Sequence, residues 1–220
     1  MRGGRSKGLR ICQLHCDGTS GHALVTTSDI CEKHVIAGLD LSNLAGVSAT
    51  PAIDLRPLEL ADAETMASWA IDPLFCAAAG WTAGLSRAQY TSFHRRIITQ
   101  PPGDLLRLGA VHQGELVGYV DLHGSEPARR ELGYVIGDSR RWGHGLGRQA
   151  AQAGLDYGFH SLELAEIWAE ALDANLASIR ILQNLGMTET EPGEPGTHLD
   201  APTYYRRFAT RAPALRPDSH

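Results

Sequence analysis

A chain of 220 residues with a formal net charge of −5 and 43% hydrophobic residues has room for one domain with a proper core plus an extension, and its composition excludes a disordered chain. Mild acidity argues against a nucleic-acid-binding surface over the whole molecule and suits an amine-binding site. No apolar run is long enough to span a bilayer, and no apolar targeting core follows the basic start Met1-Arg2-Gly3-Gly4-Arg5, so a cytoplasmic protein without membrane contact is expected.

Residues 1–50 stand apart from the rest. They hold Cys12, Cys16 and Cys31, with His15 and His34 close by. In a cytoplasmic protein, thiols near histidines suggest metal before disulfide. Two closely spaced ligand pairs on tight turns are how small tetrahedral zinc modules are built. Cys31 and His34 form the second pair, which resembles the second half of a treble-clef knuckle. The first pair is Cys12 with Cys16, or Cys12 with His15. One structural zinc on Cys12, Cys16, Cys31 and His34 is the expectation, and a cysteine-bearing extension without metal is the competing reading. Residues 45–51 are small and turn-prone and read as a linker.

A second unit spans residues 51–210. A strand is expected at 53–58, then a helix at 62–69 with Asp62 as candidate N-cap and Asp72-Pro73 as its end. Residues 77–81 read as a loop. A helix over 86–98 is capped by Ser86 and closes before Pro101-Pro102-Gly103. Strands follow at 105–111 and 116–123, around a hairpin turn at 112–115. The next strand, 130–136, runs into a glycine-rich loop, and apolar spacing through Ala150, Ala151, Gly154 and Leu155 predicts a helix over 146–158. Residues 165–172 read as a strand. Asp173 or Asn175 caps a helix that Gly186 ends as its C′ residue. Residues 189–199, acidic and rich in Gly and Pro, read as a loop, residues 203–208 as the last strand, and residues 211–220 as a disordered tail.

The glycine-rich loop carries the chemistry: Arg140, Arg141, Trp142, Gly143, His144, Gly145, Leu146, Gly147 and Arg148. Strand, glycine loop and helix together cradle a phosphate, because glycines let backbone N–H groups approach an anion and the helix N-terminus adds partial positive charge. A P-loop requires Gly-Lys-Ser/Thr where this chain has Gly147-Arg148-Gln149. A dinucleotide fingerprint requires G-x-G-x-x-G where these glycines run G-x-G-x-G. An ordinary β–α turn remains the plain alternative.

Arg140, Gly143 and Gly145 match the R/Q-x-x-G-x-G/A loop of the GNAT acetyltransferases. Glu131-Leu132-Gly133-Tyr134 and the later run from Asn175 through Ser178 to Leu185-Gly186-Met187 resemble the Rim-type branch, which includes ribosomal-protein N-terminal acetyltransferases. The resemblance covers about residues 53–209. It implies an α+β fold of the GNAT acyl-CoA N-acyltransferase type, a mixed central β-sheet flanked by helices, beside the small Cys/His-rich module.

The resemblance further implies acetyl-CoA as co-substrate, held at its pyrophosphate by the loop from Arg140 to Arg148 and at its pantetheine arm by backbone groups near Val135 and Ile136 and by Asn175. It implies an amine acceptor, either a protein N-terminus or a small molecule, with Phe75 and Trp81 as candidate contacts. It leaves room for a homodimer. An alkylamine is protonated at neutral pH, so a base is needed. Glu131 is the first candidate, with a salt bridge to Arg129 or Arg130 as its alternative use, and Asp121 and His123 are lesser candidates. Many relatives place a tyrosine where this chain has Leu182. The Rim-type resemblance offers Ser178 instead as the group that hydrogen-bonds the leaving thiolate, with Tyr204 and Tyr205 as further options. A non-catalytic acyl-CoA sensor with a partner-docking extension is the rival from another class.

Overall fold

The computed structural model describes residues 52–199 and 201–213. Cys12, His15, Cys16, Cys31 and His34, with the zinc site expected on them, lie outside the described residues, as does the tail from residue 214. Among the described residues, no helix is long and apolar enough to cross a membrane.

The elements are, in chain order, β1 (Asp54–Pro57), α1 (Asp62–Trp69), α2 (Pro73–Ala79), α3 (Arg87–Thr99), β2 (Leu105–His112), β3 (Glu115–His123), β4 (Arg129–Ile136), α4 (Leu146–Asp156), β5 (Glu166–Leu172), α5 (Leu176–Asn184), β6 (Thr188–His198) and β7 (Ala201–Arg211). A 3-10 turn, Ser139–Arg141, precedes α4, and a π-helical turn, Tyr157–Ser161, prolongs it.

The strands form a seven-stranded sheet in the order β1-β2-β3-β4-β5-β7-β6. Pairing is antiparallel except between β4 and β5, which run parallel. That parallel contact is short: it covers Arg129 to Glu131 against Glu166 to Trp168. Beyond it β4 stays paired to β3 through Ile136, and β5 to β7 through Leu172. The sheet therefore splits in its middle, and one backbone edge of β4 beyond Glu131 is not engaged by β5.

Period-two alternation along β4 assigns its side chains to two layers. Leu132, Tyr134 and Ile136 join the core formed with α4 and α5, through Ala150, Ala151, Ile179 and Leu182. Val135 faces the other layer, with Met66, Trp69, Phe75 and Tyr90 from α1, α2 and α3. Two close approaches hold these layers down. A Cβ at Gly154 would come within 2.6 Å of Leu132 and 2.7 Å of Val120, and one at Gly137 would sit 2.0 Å from the Trp69 ring.

Four local expectations are corrected. Residues 77–79 end a helix rather than form a loop: Asp72 accepts the Leu74 N–H at 2.9 Å with Pro73 in the first turn, so the pair that closes α1 also opens α2. Residues 189–198 belong to β6, not a loop. As an edge strand it tolerates Pro192 and Pro195, where its register with β7 breaks. Asp62 is not an N-cap. It is the first residue of α1, and its carboxylate is taken by Arg56, at 2.7 and 2.8 Å, and by the Glu59 N–H at 2.7 Å. The last strand also runs to Arg211, one residue into the segment expected as tail.

Candidate active site

The loop between β4 and α4 is built as the sequence suggests. Gly143 and Gly145 have φ of 80° and 82°, in the left-handed region that glycine enters without penalty. Gly145 is the residue before α4, so the free N–H groups of the first helical turn open onto the loop. The Trp142 indole N–H donates to the Ile136 carbonyl at 2.9 Å and ties the loop to the end of β4.

A cleft of about 450 Å³ opens beside this loop. Its walls bring together Val135, Ile136, Arg141, Trp142, Gly143, Gly145, Gly147, Arg148, Asn175 and Ser178. Asn175 Oδ1 caps α5 by accepting the Ser178 N–H at 3.1 Å, which leaves its Nδ2 hydrogens available to donate. Phe75 also lines the cleft. Trp81 instead packs edge-on to Phe75 at 4.9 Å, inside the aromatic layer.

Other residues named from the sequence lie elsewhere. Leu146 is buried in the core, and His144 is exposed. Arg140 lines a separate groove with Trp69, Asp72 and Glu115, where Asp138 holds its guanidinium at 2.8 Å. Arg141, though it lines the cleft, turns its guanidinium to Glu115 at 2.7 Å.

Glu131 stands at the last β4–β5 pairing, where the sheet begins to split. It is 2% exposed, and neither carboxylate oxygen has a hydrogen-bond partner among the described residues. Burial pushes its pKa up to about 6, the charge of Glu170 adds to that, and His123 pulls the other way. The salt bridge to Arg129 does not form, because Arg129 binds Glu166 at 2.7 Å. His123 lies between Glu131, 3.9 Å from its Nδ1, and Asp104, 3.2 Å from its Nε2. The facing Glu131 carboxylate, more than any other group, holds the His123 pKa above its ordinary value. Asp121, the other candidate base, is committed to Arg107 through two contacts of 2.7 Å.

Sequence reading missed three contributors to this region. Leu74 and Leu199 line the cleft, but they come from segments whose pairing or helicity was not legible. Tyr134 also lines it. Its signal was present, since alternation from Glu131 assigns it to the opposite face of β4.

The central sheet is split between its two parallel strands, and the glycine-rich loop lies beside the cleft at that split. The chain belongs to the acetyltransferase (GNAT) domain family, whose model matches residues 53–188. It is 29% identical over 147 residues to an uncharacterized N-acetyltransferase p20 of Bacillus licheniformis, a match covering 62% of this chain and 79% of that protein. Its fold is similar to RimL, a ribosomal-protein alpha-N-acetyltransferase solved with coenzyme A, at a TM-score of 0.62 and 14% identity over 73% of this chain and 94% of that one. It is similar to the same degree, TM-score 0.62 and 18% identity over 73% of this chain and 95% of that one, to a spermidine N-acetyltransferase from Vibrio cholerae in complex with CoA and spermine.

Proposed function

We propose that the protein is an acetyl-CoA-dependent N-acetyltransferase that acts on a primary amine by direct attack in a ternary complex. The observation that carries this reading is the split between β4 and β5. It sets an apolar cleft with a helix N-terminus at its mouth on one side and a buried carboxylate, Glu131, which His123 faces at 3.9 Å, at its apex. The reading assigns the donors that the co-substrate needs as backbone N–H groups at the start of α4 for the pyrophosphate, the open edge of β4 near Val135 and Ile136 for the pantetheine amides, and Asn175, the N-cap of α5. Ser178, on the first turn of α5 and lining the same cleft, is the residue assigned to hydrogen-bond the sulfur.

On the acceptor side Glu131 takes a proton from the ammonium group. His123, between Glu131 and Asp104, gives that proton a way out to solvent. The acceptor is a protein N-terminus or a small-molecule amine, as for the two neighbours solved with coenzyme A. Release of free CoA across a panel of N-terminal peptides, polyamines and aminoglycosides tests the reading. A panel with no turnover, combined with tight acetyl-CoA binding, would turn the assignment into a non-catalytic acyl-CoA sensor.

Glu131→Gln is expected to lower kcat about 100-fold with little change in affinity for acetyl-CoA. A base must be ionised to act, so the wild-type rate should rise as pH passes through about 6, the pKa that burial sets, and level off above it. The variant should lose that limb. An unchanged limb would move the role to water or to another group.

The Cys/His-rich segment is a separate proposal, resting on ligand spacing in the sequence. Cys31 and His34, with Cys12 and either Cys16 or His15, hold one structural zinc that staples a segment too poor in large apolar residues to fold by burial alone. Elemental analysis of protein purified without chelator or added nickel should find about one zinc per chain, and Cys31→Ser should lose it. Deleting residues 1–50 should leave acetyl-CoA binding intact, because both coenzyme A motifs lie downstream. Lost binding would mean that the segment contributes to the catalytic unit.

A further inference from the structure

Among the described residues, the glycines inside strands are Gly109 in β2, Gly118 in β3, Gly133 in β4, and Gly193 and Gly196 in β6. All but one are packed tight. A Cβ would come within 2.8 Å of Leu116 at Gly109, 2.0 Å of the Val135 carbonyl oxygen at Gly118, 2.6 Å of Tyr205 at Gly193 and 2.7 Å of Leu172 at Gly196. Gly133 is the exception. A Cβ there would meet Asp121 Cβ at 3.5 Å, an ordinary contact, and nothing else within 4 Å beyond its chain neighbours. Its φ is not among the positive ones. Glycine inside a strand weakens the fold relative to alanine, and it often marks the close approach of a ligand or another backbone. Here neither packing nor backbone conformation accounts for it.

Gly133 stands between the two halves of the site. Glu131 and Val135 flank it on the same strand face, each about 7 Å away along β4. Val135 lines the coenzyme A cleft and Gly133 does not. Its register partner on β3 is Asp121, and the pairing of β4 with β5 has already ended at Glu131. From Glu131 to Ile136 the strand is buried except at Gly133, which is half-buried. Along β4 the order is therefore carboxylate, open floor, cleft.

We propose that the amine and the thioester carbonyl meet over Gly133, and that its missing side chain sets how bulky the acceptor is at the carbon bearing its nitrogen. The inference rests on the acetyltransferase reading of this site. The ammonium group passes one proton to Glu131, and the freed lone pair forms the C–N bond at the carbonyl carbon. The C–S electron pair leaves on sulfur as thiolate, and the second nitrogen proton goes to solvent. The crowded tetrahedral centre between those events needs room that a methyl group on residue 133 would occupy.

Gly133→Ala separates this role from a structural one. The variant should melt at the wild-type temperature or above it, because alanine suits a strand interior better than glycine and meets no close neighbour here. It should bind free coenzyme A as the wild type does, since Gly133 does not line that cleft. Three pairs of amines differ chiefly in bulk at the carbon bearing the nitrogen: glycine- and valine-initiated tripeptides, spermidine and its 1-methyl analogue, and the exocyclic and ring amines of kanamycin. Within the pair that the wild type acetylates, the variant should lower kcat/KM for the bulkier member about 10-fold more than for the slimmer, the scale of one carbon in a fitted pocket. Several results would overturn the proposal and leave the acetyltransferase reading standing: no wild-type turnover of any bulkier member, an equal loss on both members, a loss that tracks acetyl- against propionyl-CoA instead, or a lower melting temperature. A wild-type protein that binds coenzyme A yet acetylates none of these amines would overturn that reading and the proposal with it.

Discussion

Gly145→Asp should weaken acetyl-CoA binding by about 100-fold or more while the protein remains folded. Gly145 sits at φ 82° immediately before α4, and a Cβ there meets only the Gln149 side-chain nitrogen, at 3.9 Å. The substitution is therefore sterically open. Aspartate tolerates the left-handed region better than most residues, and a carboxylate at a helix N-terminus favours the helix. The same carboxylate stands where a pyrophosphate has to approach. Two unit charges about 5 Å apart near a protein surface repel by about 3 kcal/mol at an effective dielectric of 20, which is about a hundredfold in affinity. Gly145→Ala adds only the backbone strain, about 1–2 kcal/mol, and should lose less. Titration calorimetry of the three proteins with acetyl-CoA checks this. Equal affinities for wild type and Gly145→Asp would remove the loop from the binding site.

The second large effect is on stability. Asp121→Ala should destabilise the fold by about 3–5 kcal/mol, or lower the melting temperature by about 10 °C or more. Arg107 and Asp121 are cross-strand neighbours on β2 and β3, joined by two contacts of 2.7 Å, with side chains 7% and 6% exposed. Removing the carboxylate leaves the guanidinium buried. The Tyr119 ring lies 4.0 Å away, and His94 is neutral, its pKa driven down to about 3 by burial and then by the Arg107 charge. A double variant, Arg107→Leu with Asp121→Ala, should recover at least half of the loss, because replacing both partners leaves no uncompensated charge. Thermal melts of the single and double variants decide it. Equal melting temperatures for wild type and Asp121→Ala would show that the pair contributes nothing net.

Much of the proposed coenzyme A side is legible in the sequence because its determinants are local. A glycine loop between a strand and a helix, an Asn cap at 175 and a C′ glycine at 186 are each written within a few consecutive residues. Each follows from backbone sterics that do not depend on distant parts of the chain. The same locality made α3 readable, where Ser86 and Gln89 form a capping box. Where a feature depends on what lies across the sheet, local reading failed. The Gly/Pro-rich acidic run at 189–198 has a loop's composition, and only its place at the sheet edge beside β7 makes it β6. Asp62 has the right identity for an N-cap, yet Arg56 reaches it from β1 and takes both oxygens.

The proposed amine side is set by tertiary structure. Sequence alone placed Glu131 on a strand and allowed it a salt bridge with Arg129 or a role as base. The parallel contact between β4 and β5, which ends at Glu131, and the capture of Arg129 by Glu166 leave that carboxylate buried, with His123 at 3.9 Å facing it, and raised in pKa. Asp121, of the same chemical type and ten residues away, was neutralised by Arg107 from another strand. Local sequence determined which backbone conformations and caps form. Partner and burial are properties of strand order and register, which no local stretch encodes, and for an ionisable side chain those two decide between structure and chemistry.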